Sequence, residues 1–128
     1  MFRVVLFLLF PLLAFSDHVY WQGNYDKALH QAQTEKKPLL VLVVKRETPL
    51  CNEVIKNLFM NQPYIEKINK TMVAVMVTYE GASSYPIELY YTTVFPTLFL
   101  VDSQREMFIG EPLYEMDINV TSLEELLH

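Results

Sequence analysis

The apolar residues of this chain follow two spacings, and the change from one to the other marks its elements. From Tyr25 to Lys36, Tyr25, Ala28, Leu29 and Ala32 recur at helical spacing among polar residues, with Asn24 ahead of them as a cap. This predicts a first helix, ended by Pro38. Leu39 to Val44 is a run of six apolar residues without polar alternation, the mark of a strand buried on both faces. Residues 51–60 return to helical spacing, with Val54, Ile55, Leu58 and Phe59 on one side. Pro63 interrupts them, and Tyr64 to Asn69 adds a further turn or two. Thr71 to Tyr79 is β-rich and largely apolar, which predicts a second buried strand.

The stretch from Gly81 to Thr93 fits neither period, and Ile87 to Tyr91 is open between a short helix and a loop. Leu98 to Val101 predicts a third strand and Asp102 to Arg105 a turn. Glu106 to Ile109 then makes a fourth strand, closing a hairpin with the third. Ser122 to Leu127 reads as a last helix, with Ser122 and Glu125 spaced as a capping box. A βαβ unit followed by a ββα unit predicts an α/β fold: a mixed sheet of four to five strands with helices on both faces.

The pattern ahead of the first helix is of another kind. Met1-Phe2-Arg3 supplies a positive end, Val4 to Phe15 is an apolar stretch of twelve residues, and Ala14-Phe15-Ser16 offers small residues where a signal peptidase reads. A membrane span needs about 20 apolar residues. Residues 1–16 are therefore read as a cleaved signal peptide and 17–128 as one domain, with an uncleaved anchor as the alternative. Export to a periplasm or the exterior is expected, without stable membrane insertion after cleavage.

Composition adds two constraints. Losing residues 1–16 removes Arg3 and no acid, so the formal charge goes from −5 to −6. An acidic domain lacks the clustered cations that nucleic-acid phosphates reward, and no nucleic-acid partner is expected. Export favours disulfides, but a single cysteine cannot form an internal one, so about 112 residues must stand on their core alone.

That cysteine, Cys51, is the main chemical candidate. It lies between the first strand and a helix start, where backbone N–H groups stabilise a thiolate. Free cysteine is also frequently a small buried hydrophobe, and both readings stay open here. Thr48, three residues earlier, can donate to the thiolate or cap the helix through its hydroxyl. His18, His30 and His128 are too scattered to make a metal cluster, and none lies near Cys51 in sequence. Met60, Met72, Met76, Met107 and Met116 are read as core filling rather than a copper-binding set. No cofactor is expected. Tyr85, Tyr90, Tyr91 and Phe95 cluster ahead of Pro96, divided between an apolar rim and core. Asn69-Lys70-Thr71 and Asn119-Val120-Thr121 are weak glycosylation sequons. Asn119 is the better acceptor of the two, because Asp117 lies upstream of it.

The order of elements, the strand–turn–helix around Thr48 to Cys51 and the Phe95-Pro96-Thr97 turn before the third strand together resemble the thioredoxin fold. Phe59, eight residues after Cys51, and the Ala28-to-Pro38 pattern are similar to the secreted thioredoxin-like group. The resemblance covers about residues 20 to 127. It implies that Thr48 stands in place of the first cysteine of Cys-x-x-Cys, and that Phe95, Pro96 and Thr97 form a cis-proline loop holding an extended protein partner. The departures matter for activity. Thr48 replaces the attacking cysteine, Glu47 a tryptophan, Asn52 a frequent lysine, and Leu42, six residues before Thr48, a buried acid. A dithiol cycle needs a second sulfur to release the mixed disulfide, so ordinary dithiol activity is not expected. Thr48-x-x-Cys51 also resembles the peroxiredoxin pattern, but Val44 stands where that pattern opens with proline.

Two functions follow from the resemblance. One is a monothiol that exchanges disulfides with a protein partner, or senses redox state, through Cys51. The other is a non-catalytic module that holds its partner at the cis-proline groove. A covalent dimer through Cys51 is a third possibility.

Overall fold

Six consecutive apolar residues become the centre of the sheet because both of their faces are covered. The computed structural model describes residues 18–46, 48–59, 62–79 and 85–126. The expected leader, Glu47, Met60, His128 and residues 81–84 lie outside them. Strand β1, Leu39–Val44, is buried along its whole length. It pairs in parallel with β2, Val73–Thr78, and antiparallel with β3, Thr97–Asp102. On the far edge of β3 lie β4, Met107–Phe108, and β5, Leu113–Tyr114. The path is β2-β1-β3-β4 in a five-stranded mixed sheet, as the alternation of elements predicts.

Residues alternate between the faces of a strand, so each face of β1 has its own core. Leu39, Val41 and Val43 pack with Val73, Val75, Phe99 and Val101 beneath helix α1, Tyr25–Glu35, which contributes Tyr25, Ala28 and Ala32. Leu40, Leu42 and Val44 pack on the other side with Cys51 and Val54 of α2, Pro49–Phe59, and with Ile65 and Ile68 of α3, Gln62–Thr71. Leu123 of the last helix, α4, Val120–Leu126, joins that second core. Asn24 caps α1 by accepting from the Lys27 N–H at 3.0 Å.

Several boundaries differ from the sequence reading. Helix α2 starts at Pro49 rather than residue 51, because proline has no N–H to satisfy and suits a first helical position. Thr71 closes α3 instead of opening β2, its hydroxyl donating back to the Lys67 carbonyl at 2.7 Å. Residues 87–90 form a turn and not a helix, with the Leu89 and Tyr90 N–H groups both donating to the Pro86 carbonyl. Helix α4 begins two residues before Ser122. Its cap is Asn119, whose Oδ1 accepts from the Ser122 N–H while the Ser122 hydroxyl accepts from the Asn119 N–H, each at 3.0 Å. The capping residues are therefore Asn119 and Ser122 in place of Ser122 and Glu125.

β5 has no counterpart in the sequence reading. From Phe108 to Leu113 the edge advances five residues while its β3 partners go from Val101 to Leu98. The excess is taken up at Gly110, whose φ of 75° is open to glycine. At the opposite edge, Gln22 bridges to β2, donating to the Ala74 carbonyl and accepting from the Met76 N–H, each at 2.9 Å.

Candidate functional site

The chain leaves β1 at Val44 and turns back into α2, which sets Cys51 in the first turn of a helix. The Cys51 N–H donates to the Thr48 carbonyl at 3.0 Å, and the Asn52 N–H approaches the same oxygen at 3.4 Å. Cys51 is 3% exposed, and its side chain belongs to the core cluster that holds Leu42, Val44 and Val54. Thr48 is half-buried, and its hydroxyl donates to the Arg46 carbonyl at 3.4 Å. Leu42 is fully buried, so the position below the thiol is hydrocarbon.

The loop entering β3 meets the same end of the sheet. The Phe95–Pro96 peptide bond is cis. The Phe95 ring lies 5.0 Å from that of Tyr79, centroid to centroid, and the Lys45 ammonium sits 5.9 Å above it. Tyr79 in turn donates its N–H to the Val44 carbonyl at 2.9 Å. Lys45, Tyr79 and Phe95 thus come together from three segments at the carboxyl ends of β1 and β2, where α2 departs. Phe95 is half-buried and packs against both cores.

The remaining groups of this loop are turned inward. Pro96 is buried, and its carbonyl accepts from the Glu115 N–H at 2.8 Å. Thr97 is fully buried, with its hydroxyl 2.8 Å from the Val94 carbonyl and 3.0 Å from the Thr92 hydroxyl. Thr92 also accepts from the Val94 N–H at 3.2 Å. These bonds brace the turn. The Phe95 N–H and carbonyl make no hydrogen bond among the described residues, so the backbone there can receive an extended segment.

Of the aromatics ahead of Pro96, Tyr85 and Tyr90 are core, Phe95 is half-buried and Tyr91 alone is mostly exposed. Tyr90 belongs to an arrangement that no spacing announces. Its hydroxyl is 2.7 Å from that of Tyr25, which donates on toward Glu106 at 3.4 Å. Burial pushes the Tyr25 phenol up to about 12 and raises Tyr90 in the same direction. Sixty-five positions separate the two tyrosines, and only the packing of α1 on the sheet joins them.

The other candidates are dispersed. His18 stacks edge-on against Tyr20 at 5.5 Å, and His30 is exposed on α1. Among the described residues no group of three or more metal-ligating side chains occurs. Met72 is buried and Met76 half-buried, whereas Met107 is exposed and so is not core filling. Asn69 accepts from the Tyr20 N–H at 2.8 Å and donates its Nδ2, the atom a glycan takes, to the His18 carbonyl at 3.0 Å. Asn119 is exposed and caps α4.

Comparison with known proteins agrees with this architecture. A proposed disulphide-isomerase from Bacteroides thetaiotaomicron superposes with a TM-score of 0.72 at 18% identity, over 87% of this chain and 92% of that one. A thioredoxin from Thermus thermophilus gives 0.71 at 14% identity, over 85% and 84%. The DsbH oxidoreductase gives 0.64 at 16% identity, over 89% and 85%. Identities this low bear on the fold alone. No curated protein sequence matches the chain. Residues 20–103 match the family model described as thioredoxin-like, which includes β1, the Cys51 turn, the Pro96 loop and β3. With that match over more than half of its length, the chain belongs to the thioredoxin-like family.

Proposed function

We propose that this protein is an exported thioredoxin-fold binding module that holds an extended protein segment at the Phe95–Pro96 loop. The observation that carries this reading is the contrast between the two candidate groups. The Cys51 side chain is sealed in the core, whereas the Phe95 backbone has unused hydrogen-bonding capacity beside the Tyr79 ring and the Lys45 ammonium. Strand-like pairing at such a backbone supplies affinity, and flanking side chains supply selectivity. Export rests on the charged, apolar and small-residue pattern of residues 1–16. Among the described residues no helix is long and apolar enough to cross a membrane.

A second reading, monothiol exchange through Cys51, is favoured by the position of the thiol in the first turn of an eleven-residue helix. It requires the helix start to open before the sulfur can meet a partner disulfide. Tagged protein recovered from its host separates the two. The binding module predicts that Cys51→Ser captures the same partner as the unaltered chain and that Phe95→Gly loses it. Loss of capture in Cys51→Ser, with a partner band that dissolves on reduction, would move the assignment to the monothiol.

A further inference from the structure

Folding gives the two Asn-x-Thr sequons opposite surroundings, and the proposed function uses neither of them. In Asn69-Lys70-Thr71 both groups that glycosylation requires are engaged. Asn69 lies inside α3, with both ends of its amide bonded to the arm ahead of α1. Its Oδ1 accepts from the Tyr20 N–H at 2.8 Å, and its Nδ2 donates to the His18 carbonyl at 3.0 Å. Between those two residues Val19 is buried in the core, so the arm is fixed across Asn69. The Thr71 hydroxyl donates to the Lys67 carbonyl at 2.7 Å. An oligosaccharide on the Asn69 Nδ2 would compete with the arm for its place.

Asn119-Val120-Thr121 is presented differently. Its asparagine occupies the bend between the 3₁₀ turn at Glu115–Asp117 and α4, and both Asn119 and Thr121 are exposed. The cap of α4 engages Oδ1, which accepts from the Ser122 N–H, whereas a sugar attaches at Nδ2. The helix therefore keeps its cap after attachment. A cavity of about 630 Å³ opens beside this residue, lined by Leu113, Asp117, Asn119, Thr121, Ser122 and Glu125. Leu113 offers a sugar ring an apolar face, and the carboxylates of Asp117 and Glu125 offer acceptors to its hydroxyl groups.

We infer that Asn119 carries an N-linked oligosaccharide and that Asn69 does not, although both stand in the acceptor pattern. The co-substrate is an oligosaccharide joined through its anomeric carbon to a lipid pyrophosphate. The Asn119 Nδ2 attacks that carbon as the bond from carbon to the pyrophosphate oxygen breaks. The lipid pyrophosphate leaves with the bonding electron pair, Nδ2 gives up one proton to a base of the transferase, and nothing is oxidised or reduced. The site rests on the export reading, because the leader of residues 1–16 is what brings the chain to such a transferase. It involves neither Cys51 nor Phe95.

Intact-mass spectrometry of the full chain, expressed in its host with residues 1–16 in place, tests the inference. The recovered protein should begin near Asp17 and exceed its sequence mass by one oligosaccharide, which peptide mapping places on Asn119. Thr121→Val should lose the whole excess. That variant keeps Asn119 and its cap, and an unchanged circular dichroism spectrum verifies folding. Thr121→Ser retains the acceptor pattern and should keep the oligosaccharide, as should Asn69→Gln. A processed chain of bare sequence mass, an excess that survives Thr121→Val, or an oligosaccharide mapped to Asn69 would each overturn the inference and leave export standing. A bare chain that keeps residues 1–16 would overturn the export reading and this site with it.

Discussion

Tyr25 and Tyr90 show how much of this molecule depends on pairs that the linear order keeps apart. Each ring contributes apolar area to the core beneath α1, and the hydroxyls of these two buried side chains satisfy each other. Burial is the main reason that their phenols resist ionisation, with Glu106 adding its negative charge. The pair has a consequence for stability against pH. An unfolded tyrosine releases its proton near 10.0, while folded Tyr25 holds it to about 12. Between those values the folded state binds more protons than the unfolded one, so stability falls as pH rises. Denaturant titrations should therefore give a constant midpoint from pH 7 to about 9, then a decline through 10 to 12. Tyr25→Phe should flatten that decline while lowering the plateau, because Tyr90 loses its acceptor. A decline of equal slope in the variant would show that other groups govern alkaline unfolding.

Elements were legible in the sequence in proportion to how strongly burial dictated them. β1 is enclosed on both faces, so all six of its positions are apolar and its span is read directly. β4 was read as the second arm of a hairpin with β3 and is there, shortened to Met107–Phe108, whereas β5 is a two-residue edge strand with half-buried and exposed side chains that leaves hardly any periodic signal. At helix ends the competing signals were local. Ser122 and Glu125 have capping-box spacing, but Asn119 supplies the better-placed side-chain acceptor and starts α4 earlier. Asn119→Ala should therefore cost about 1 kcal/mol, read as a lower midpoint in chemical denaturation. Glu125→Ala should cost far less, and equal losses would restore Glu125 as the capping partner. The Pro96 loop was legible as a motif, whereas its bracing by Thr92 and Glu115 was not, because those bonds depend on how β5 returns to β3.

At the scale of the whole molecule, the thioredoxin-like frame holds one buried thiol in the first turn of α2, and the frame itself can be asked whether it would accept a second. The bond from the Cys51 N–H to the Thr48 carbonyl closes a turn from residue i to i+3. Such a turn holds its first and last Cα atoms within about 7 Å, which overlaps the range that a disulfide spans. Thr48 is half-buried with its hydroxyl committed only to a 3.4 Å contact, so a cysteine there sacrifices little. Thr48→Cys should form an intrachain disulfide on mild oxidation, read as the loss of both thiols in a labelling assay under denaturing conditions. Oxidoreductase turnover should nonetheless stay low, because Leu42 leaves no buried acid to carry a proton to or from the inner sulfur. If both thiols remain free under oxidising buffer, α2 begins too rigidly for a dithiol. If the disulfide forms and turnover is high, a cysteine at position 48 is sufficient for dithiol chemistry in this frame.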